Sequence, residues 1–350
     1  MYNSVTYGKD LQFQIERINL EILKNKKILI TGANGLICSY LIDLLIYANE
    51  NYDTNISIYA LSRNEEKLKE RFQKYYLKEY FHSVIQDVCN KIELESIDYI
   101  IHGASPATPK QYIQNPVDTM NANYLGMLNV LECAVKNHSE KVIYISSSEI
   151  YGSSFEDDKE LKENEYRYVD ILEVRSSYAS SKRATETLCI AYKNQYECNI
   201  CIVRPAHIYG PTITSSDSRA VSDFLRNVSE DKDILMKSDG SSIRSYCYVG
   251  DTIVGILKVL EKGISGEAYN ISNTIDTISI KELANTIAKY GNKKLIIELP
   301  KDYLSQKINS NNKEIRINNE KLKKLGWDCK ILIEEGIKRS LQIIKEKKNS

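Results

Sequence analysis

The stretch Lys27-Ile28-Leu29-Ile30-Thr31-Gly32-Ala33-Asn34-Gly35-Leu36-Ile37-Cys38 has the strongest bearing on the fold. An apolar run that fits a short strand leads into a tight turn with two glycines, and an apolar helix follows. Glycines at such a turn let backbone amides approach an anion, and the first turn of the helix presents unpaired N–H groups to it. This order therefore predicts a site for the diphosphate of a dinucleotide. The residues expected to contact the dinucleotide are Gly32, Asn34, Gly35, Leu36 and Ile37.

Apolar strands and helices continue to alternate as far as residue 205. The predicted strands are 56–61, 99–102, 141–146 and 200–204, and the predicted helices are 65–76, 116–137 and 178–196. Near-continuous apolar strands separated by helices indicate a parallel sheet that is covered on both faces. We therefore predict an α/β fold with a doubly wound, Rossmann-type parallel sheet and a smaller C-terminal α/β lobe.

The same pattern suggests three segments. Residues 1–25 are predicted to be an N-terminal helical extension, with a helix over 10–24. Residues 26–205 are predicted to form the dinucleotide-binding domain. The less regular pattern of residues 206–350 predicts a substrate-binding lobe, with the two boundaries interleaved.

The 350 residues carry 47 basic and 47 acidic side chains, so the formal net charge is zero. A nucleic acid or an anionic membrane therefore gains no electrostatic attraction to the chain, and we expect neither as a partner. Eight cysteines without a signal-peptide pattern predict reduced thiols in a cytoplasmic protein. Cys198 and Cys201 form a CxxC pair, but they lie in an apolar strand-like run without a second ligand pair, so no metal is predicted.

The end of the second strand bears on the choice of cofactor. An acidic residue there would accept hydrogen bonds from the ribose 2′-hydroxyl of NAD, but the sequence reads Leu61-Ser62-Arg63-Asn64. The Arg63 guanidinium can pair with the 2′-phosphate of NADP or stack on the adenine, and it can equally be a solvated side chain at a helix start. The cofactor is therefore predicted to be NAD or NADP.

Tyr178 and Lys182 place a phenol and an ammonium one turn apart on the same face of the helix 178–196. A phenol with a pKa of about 10 is a poor base at neutral pH, but a nearby ammonium and an oxidised nicotinamide favour the phenolate. Tyr178 can then take a hydroxyl proton while the nicotinamide takes the hydride from the same carbon. The serine cluster Ser146-Ser147-Ser148 follows a predicted strand, and ligands bind at such strand ends in open parallel sheets.

Together these motifs resemble those of extended short-chain dehydrogenases/reductases of the nucleotide-sugar epimerase/dehydratase family, over residues 26–345. The resemblance implies that Ser147 is the hydroxyl that binds the sugar oxygen beside Tyr178. One departure is Cys38, which stands at the third glycine of the turn. We expect a small thiol to fit there with slightly wider spacing between helix and strand.

The resemblance also implies contacts outside the motifs. The further cofactor contacts are Asp87 and Val88 at the adenine, with Ala104, Lys182, Pro205 and His207. The substrate contacts are Ser105, Asn123, His207, Arg219 and Arg244. The two arginines suit a diphosphate, although either can be a solvated surface side chain. His207 stands where the family usually has asparagine, and we interpret it as a hydrogen-bonding residue and not as an acid or base.

A few side chains decide which reaction follows the oxidation of the sugar, usually at C4. Ser148 stands where a 4,6-dehydratase has an aspartic acid, and a serine is a far weaker proton donor, so 4,6-dehydration is disfavoured. The Ser148-Glu149 pair resembles that of UDP-glucuronate decarboxylases, in which the 4-ketone turns the C6 carboxylate into a β-keto acid that loses CO2. The catalytic residues expected on this basis are Ser147, Ser148, Glu149, Tyr178 and Lys182.

Three alternatives stay open at this point. A 4-epimerase would use the same catalytic residues, and an NADPH-dependent 4-keto-sugar reductase is favoured by Arg63. A non-catalytic dinucleotide-binding sensor would have no use for an activated phenol. The resemblance further implies supply of precursors for a surface polysaccharide and a homodimer formed through the helix 116–137 and the helix that carries Tyr178.

Overall fold

The computed structural model describes residues 4–152, 160–300 and 316–348. Its strands in chain order are β1 (Lys27–Thr31), β2 (Ser57–Ser62), β3 (Phe81–Ile85), β4 (Tyr99–His102), β5 (Lys141–Ile145), β6 (Ile200–Pro205), β7 (His207–Tyr209), β8 (Ile234–Met236), β9 (Ile243–Tyr248), β10 (Ala268–Ile271), β11 (Thr277–Ser279) and β12 (Leu295–Ile297). Its helices are α1 (Val5–Ile15), α2 (Leu36–Tyr52), α3 (Glu65–Phe72), α4 (Pro109–Gln114), α5 (Pro116–Asn137), α6 (Ser176–Tyr196), α7 (Ala220–Ser229), α8 (Val249–Lys262), α9 (Ile280–Gly291), α10 (Glu320–Lys323) and α11 (Ile333–Lys348). Short 3₁₀ turns lie at Leu20–Leu23 and Ser148–Tyr151.

The main sheet, as far as the chain is described, has seven parallel strands in the order β10-β6-β5-β4-β1-β2-β3. The strand order runs outward from β1 in both directions, first to β2 and β3 and then to β4, β5 and β6. In such sheets a crevice opens beyond the carboxyl ends of the strands, where the order reverses. The predicted doubly wound α/β fold is confirmed.

Helices cover both faces of the sheet. Side chains alternate between the two faces of a strand, and in β1 Ile28 and Ile30 belong to one buried cluster with α2 and α8. Leu29 belongs to a second cluster, formed with α5 and α6 on the opposite face. The near-continuous apolar strands are therefore explained by burial on both sides.

The chain after Pro205 builds smaller sheets and also returns to the main one. Strands β11, β9 and β7 form a three-stranded sheet, and β12 pairs with β8. Strand β10 pairs in parallel with β6 and so completes the main sheet. The return of the chain brings the loops after β6 and the segment around β9 to the same crevice.

The N-terminal segment differs from the helix predicted over 10–24. Helix α1 begins at Val5 because Ser4 caps it, its Oγ accepting a hydrogen bond from an amide of the first turn at 3.0 Å. The helix ends at Ile15, and a separate 3₁₀ turn follows the capping residue Asn19. The prediction was wrong at both ends, because capping side chains set these boundaries and apolar spacing does not.

A buried carboxylate connects α1 to three distant elements. Asp10 accepts hydrogen bonds from the hydroxyls of Tyr40 at 2.6 Å and Tyr248 at 2.7 Å. It also pairs with Arg339 of α11 at 2.8 Å. The first helix is thereby fixed to α2, to β9 and to the last helix.

The cysteines are all free thiols, and all except Cys89 are buried. Cys201 lies inside β6, as its apolar surroundings predict, and its Sγ contacts the carbonyl of Ile264 at 3.3 Å. Among residues 4–152, 160–300 and 316–348, no helix is long and apolar enough to cross a membrane.

Candidate active site

A cleft of about 800 Å³ opens at the carboxyl ends of the central strands. It brings together nearly all of the residues predicted from sequence. Those that line it are Gly32, Asn34, Gly35, Leu36, Ile37, Arg63, Asp87, Val88, Ala104, Ser105, Ser147, Ser148, Glu149, Tyr178, Lys182, Pro205, His207, Arg219 and Arg244.

Asn123 is the predicted contact that does not line this cleft. It is fully buried, and its Nδ2 donates a hydrogen bond to the Oγ of Ser181 at 2.9 Å. Its backbone carbonyl also accepts a hydrogen bond from Thr185 at 3.2 Å. The structure therefore places Asn123 between α5 and α6, behind the cleft.

The glycine turn is shaped for close approach of an anion. Gly32 has a φ of +74°, and a Cβ there would lie 2.8 Å from the backbone of Gly103 and Ala104. Gly35 is the N-cap of α2 and provides no side-chain cap, so the first amides of the helix face the cleft. The Oδ1 of Asn34 is buried and has no partner within the described chain. These features fit the diphosphate of a nicotinamide dinucleotide.

Cys38, at the third glycine position of the turn, is accommodated by a glycine from another strand. A Cβ at Gly103, just after β4, would overlap the Sγ of Cys38 and lie 3.2 Å from the Cδ1 of Ile145. Gly103 thus provides the space that a glycine at position 38 would otherwise provide. The wider spacing between helix and strand stays a prediction, and Gly103 is the neighbour that leaves room for the sulfur.

We expect Gly103→Ala to destabilise the protein by about 1–3 kcal/mol, because overpacking forces a well-packed interior apart. Cys38→Ala in the same chain removes the overlapping sulfur and should restore most of this loss. Urea unfolding of the two single variants and the double variant gives the coupling free energy. Additive effects would contradict the pairing of these two positions.

The loop after β4 is held in place by Thr31. Its Oγ1 accepts hydrogen bonds from the amides of Gly103 and Ala104, each at 3.2 Å, and contacts the Nδ1 of His102 at 2.8 Å. Burial, followed by the charge of Lys182, lowers the pKa of His102 to about 3. His102 is therefore neutral and fixes the loop without adding charge to the cleft.

Tyr178 and Lys182 lie buried at the base of the cleft. The Nζ of Lys182 donates to the carbonyl of Ile145 at 2.8 Å and lies 5.8 Å from the ring centroid of Tyr178. Burial lowers the pKa of Lys182 to about 7, against the opposing charge of Glu186. Burial also raises the pKa of Tyr178 to about 12, although hydrogen bonds with the hydroxyls of Ser147 and Ser105 act to lower it.

These pKa values qualify the predicted phenolate. In the protein alone the phenol of Tyr178 is protonated at neutral pH, because burial outweighs its hydroxyl neighbours. The ammonium of Lys182 is itself partly discharged near pH 7. The positive charge of an oxidised nicotinamide in the cleft would favour the phenolate.

Tyr112 was not singled out from the sequence, but it directly contacts Tyr178. Its ring stacks on that of Tyr178, with a centroid distance of 5.1 Å and an interplanar angle of 19°. Its carbonyl also accepts a hydrogen bond from Ser177 at 3.3 Å. Stacking against α4 fixes the plane of the Tyr178 ring. A motif search cannot find Tyr112, because α4 is remote in sequence from α6.

Arg175 is a second residue that the sequence analysis missed. Its Nη2 lies 3.7 Å from the Oε2 of Glu149, and its guanidinium carbon lies 5.8 Å from the centroid of the Tyr112 ring. The backbone amide of Glu149 is held by the Oγ of Ser147 at 3.2 Å. A cation, a carboxylate and a hydroxyl are thus grouped near the start of α6, and Ser147 and Glu149 of this group line the cleft with Tyr178.

An ion pair lies at the end of the cleft where the sequence predicts the adenosine. Arg63, which is 71% exposed, lies 3.5 Å from the carboxylate of Asp87. Burial acts to raise the pKa of Asp87, but hydrogen bonds from Cys89 and the charge of Arg63 outweigh it and lower the pKa. Asp87 is therefore ionised and partly neutralises Arg63.

The opposite end of the cleft gathers the residues expected at a sugar nucleotide. Arg219 is oriented by Asp217, with a contact of 2.6 Å, and Arg244 donates to the carbonyl of Ile243 at 2.8 Å. Burial, then the charges of Arg244 and Arg219, lowers the pKa of His207 to about 3. The imidazole is neutral at neutral pH, which suits a hydrogen-bonding role.

The parallel sheet, the amide-lined glycine turn and the buried Tyr178-Lys182 pair at one cleft define an enzyme of the extended short-chain dehydrogenase/reductase class. Within that class, residues 28–272 match the model of the NAD dependent epimerase/dehydratase family. The chain belongs to this family, whose members modify nucleotide sugars with a nicotinamide cofactor.

The chain is similar to relatives that catalyse different reactions. It is 31% identical over 318 residues to UDP-glucuronic acid decarboxylase 3 of Arabidopsis thaliana, covering 89% of this chain and 87% of that protein. It is 27% identical over 334 residues to human dTDP-D-glucose 4,6-dehydratase, covering 92% and 90%.

Solved structures share the fold at lower identity. UDP-glucuronic acid 4-epimerase from Bacillus cereus, in complex with UDP-glucuronic acid and NAD, gives a TM-score of 0.75 at 24% identity and covers 91% of this chain and 99% of its own. A dTDP-glucose 4,6-dehydratase from Streptomyces venezuelae gives a TM-score of 0.77 at 21% identity, covering 92% and 98%. The choice of reaction therefore depends on the residues of the cleft.

Proposed function

We propose that this enzyme is a UDP-glucuronate decarboxylase that retains NAD through its catalytic cycle. The observation that carries the proposal is the grouping of Ser148, Glu149 and Arg175 beside Tyr178. Position 148 carries no carboxylic acid, and Arg175 provides a cation close to Glu149. The name of the relatives at 31% identity supports the same reaction.

Bound NAD would accept a hydride from C4 of the sugar and later return it. Tyr178 takes the proton of the C4 hydroxyl, and Ser147 donates a hydrogen bond to the same oxygen. The resulting ketone makes the C6 carboxylate a β-keto acid, so the C5–C6 bond breaks and CO2 leaves. The electron pair of that bond moves through C5 to the C4 oxygen. C5 then takes a proton in place of the lost carboxylate, and Tyr178 gives its proton back to the C4 oxygen as C4 is reduced.

Ser148 and Glu149 favour this course over 4,6-dehydration. Expulsion of the C6 hydroxyl needs a proton donor, and a serine hydroxyl does not ionise near neutral pH. Decarboxylation needs no acid for its leaving group, because CO2 leaves as a neutral molecule. Glu149 is then available as the acid that donates the new proton to C5.

We assign Arg175 to the sugar carboxylate. A guanidinium binds a carboxylate through two parallel hydrogen bonds. The guanidinium carbon of Arg175 lies 5.8 Å from the centroid of the Tyr112 ring, and both Tyr112 and Glu149 line the cleft. Its pairing with Glu149 at 3.7 Å is loose enough for a substrate carboxylate to replace it.

The variant Arg175→Gln should weaken binding of UDP-glucuronate by about tenfold, as expected for loss of a charge-assisted hydrogen bond. UDP-glucose, which has no carboxylate, serves as the control ligand, and its affinity should not change. Isothermal titration calorimetry measures both dissociation constants. Equal weakening of both ligands would remove Arg175 from the carboxylate site.

We propose NAD as the cofactor and not NADP. Asp87 already pairs with Arg63 and is ionised, so the guanidinium has less charge to offer a 2′-phosphate, and the carboxylate would repel one. Solved relatives that hold NAD support this choice.

The central experiment uses purified protein with UDP-glucuronate and no added cofactor. We expect one CO2 and one UDP-pentose per substrate consumed, and denaturation should release NAD. A C4 epimer without CO2 would replace the proposal by an epimerase, and stoichiometric NADPH oxidation with a 4-keto sugar would replace it by a reductase. No turnover of any nucleotide sugar in a panel, with NAD bound, would favour the sensor.

We also propose that a second copy of the chain covers the outer face of α5. Val117, Met120 and Tyr124 follow helical spacing there and are 68%, 46% and 40% exposed. Such an apolar stripe on a helix is unusual on the surface of a monomer. Light scattering should therefore give the mass of a dimer, and a monomeric mass at micromolar concentration would exclude it.

A further inference from the structure

The carboxylate of Glu186 is buried behind the catalytic pair and binds two neighbouring strands. It lies on the same face of α6 as Tyr178 and Lys182, one turn beyond Lys182. One oxygen accepts hydrogen bonds from the Oγ of Ser146 at 2.5 Å and from the Nε of Arg204 at 3.0 Å. The other accepts from the Nη2 of Arg204 at 2.6 Å. Glu186 thus joins the catalytic helix to the ends of β5 and β6.

The ion pair of Glu186 and Arg204 is also hydrogen-bonded to Tyr151, the last residue of the 3₁₀ turn. The Nη1 of Arg204 donates to the hydroxyl of Tyr151 at 3.0 Å, and that hydroxyl donates to the Oδ1 of Asn270 in β10 at 2.6 Å. Arg204 is 1% exposed. The segment from Ser147 to Tyr151 is therefore held immediately before its start and at its last residue.

We propose that Glu186, with Ser146 and Arg204, is a positioning residue that sets where Ser147 and Glu149 lie relative to Tyr178. Tyr178 and Glu186 belong to one rigid helix, so a strand end fixed to Glu186 is also fixed to the phenol. Ser146 is bonded directly to Ser147, and Tyr151 follows Glu149 by two residues in the 3₁₀ turn. The network connects the two halves of the catalytic group, which come from α6 and from the end of β5.

Stability alone does not explain such a network. A buried ion pair contributes little to stability compared with well-packed apolar side chains, because desolvation offsets the attraction between the charges. Its directional hydrogen bonds do specify a geometry. A shift of about 1 Å in a catalytic group can reduce the rate about a hundredfold. A carboxylate that fixes Ser147 therefore serves catalysis more than folding.

The test uses Ser146→Ala, which removes one hydroxyl and leaves the Glu186–Arg204 pair in place. The matched control is Ser139→Ala, since the Oγ of Ser139 donates to the carbonyl of Ile97 at 2.7 Å at the opposite end of the sheet. We expect Ser146→Ala to lower kcat about tenfold with KM unchanged. The two variants should have similar Tm values, and Ser139→Ala should keep full kcat.

A second measurement needs no substrate, because the kinetic test rests on the proposed function. Hydrogen exchange followed by mass spectrometry should show faster exchange over 148–152 in Ser146→Ala and not in Ser139→Ala. Unchanged exchange in that segment overturns the inference even if no substrate is found. Unchanged kcat, or a loss confined to KM, overturns it as well, because Ser146 would then be idle or would contact the substrate itself.

Discussion

Tyr178→Phe should lower turnover of the nucleotide sugar about a thousandfold while the protein keeps its bound cofactor. The variant removes only the hydroxyl that exchanges the proton with the substrate, and loss of general acid–base catalysis typically costs 10²–10⁴ in rate. The phenylalanine ring can still stack on Tyr112, so the cleft should keep its shape. Turnover is measured by product formation, and bound NAD by its absorbance after denaturation.

Tyr209→Phe is the matched control for this substitution. The hydroxyl of Tyr209 is buried at the carbonyl of Ile333, outside the cleft. Its removal should leave turnover within a factor of about two, as expected for a change that does not touch the reacting groups. If Tyr178→Phe retains half of the parent activity, the phenol is not the proton carrier, and another group must take the proton of the C4 hydroxyl.

Lys182→Met should have the second largest effect and should lower turnover at least about a hundredfold. Methionine has a similar length, but it removes the positive charge beside Tyr178 and the hydrogen bond to the carbonyl of Ile145. Without the ammonium the pKa of the Tyr178 phenol should rise further. Affinity for NAD should fall as well, because Lys182 lines the cleft.

Lys182→Met should also change how the free energy of unfolding depends on pH. Burial lowers the pKa of Lys182 to about 7, whereas the unfolded chain keeps the ordinary value near 10.5. Between these two values the unfolded state binds more protons, so the free energy of unfolding of the parent protein rises with pH in that range. Lys182→Met should remove this rise. Urea unfolding at pH 7 and pH 9 measures it, and an equal pH dependence in both proteins would contradict the depressed pKa.

The sequence predicted best those features whose residues are close together along the chain. The glycine turn and the Tyr178-Lys182 pair are each contained within one element or one junction, so their spacing alone fixes their relative positions. The sheet could also be predicted, because burial on both faces makes its strands apolar throughout.

Features that join distant segments could not be predicted in this way. Tyr112 reaches Tyr178 and Arg175 only because α4 packs against the start of α6. The space for Cys38 comes from Gly103, and no local pattern connects the two positions. Asn123 is the opposite case. The family resemblance predicted that it contacts the substrate, whereas its side-chain amide donates a hydrogen bond to Ser181.

The placement of β10 at the edge of the main sheet bears on how the nascent chain is handled. When β6 emerges from the ribosome, its outer edge still lacks the neighbouring strand β10. That edge stays unpaired until Ile271 has been synthesised. An unpaired apolar edge is a template for wrong association. We therefore expect newly made protein to need chaperones until translation passes β10, and a chain truncated before that point should aggregate.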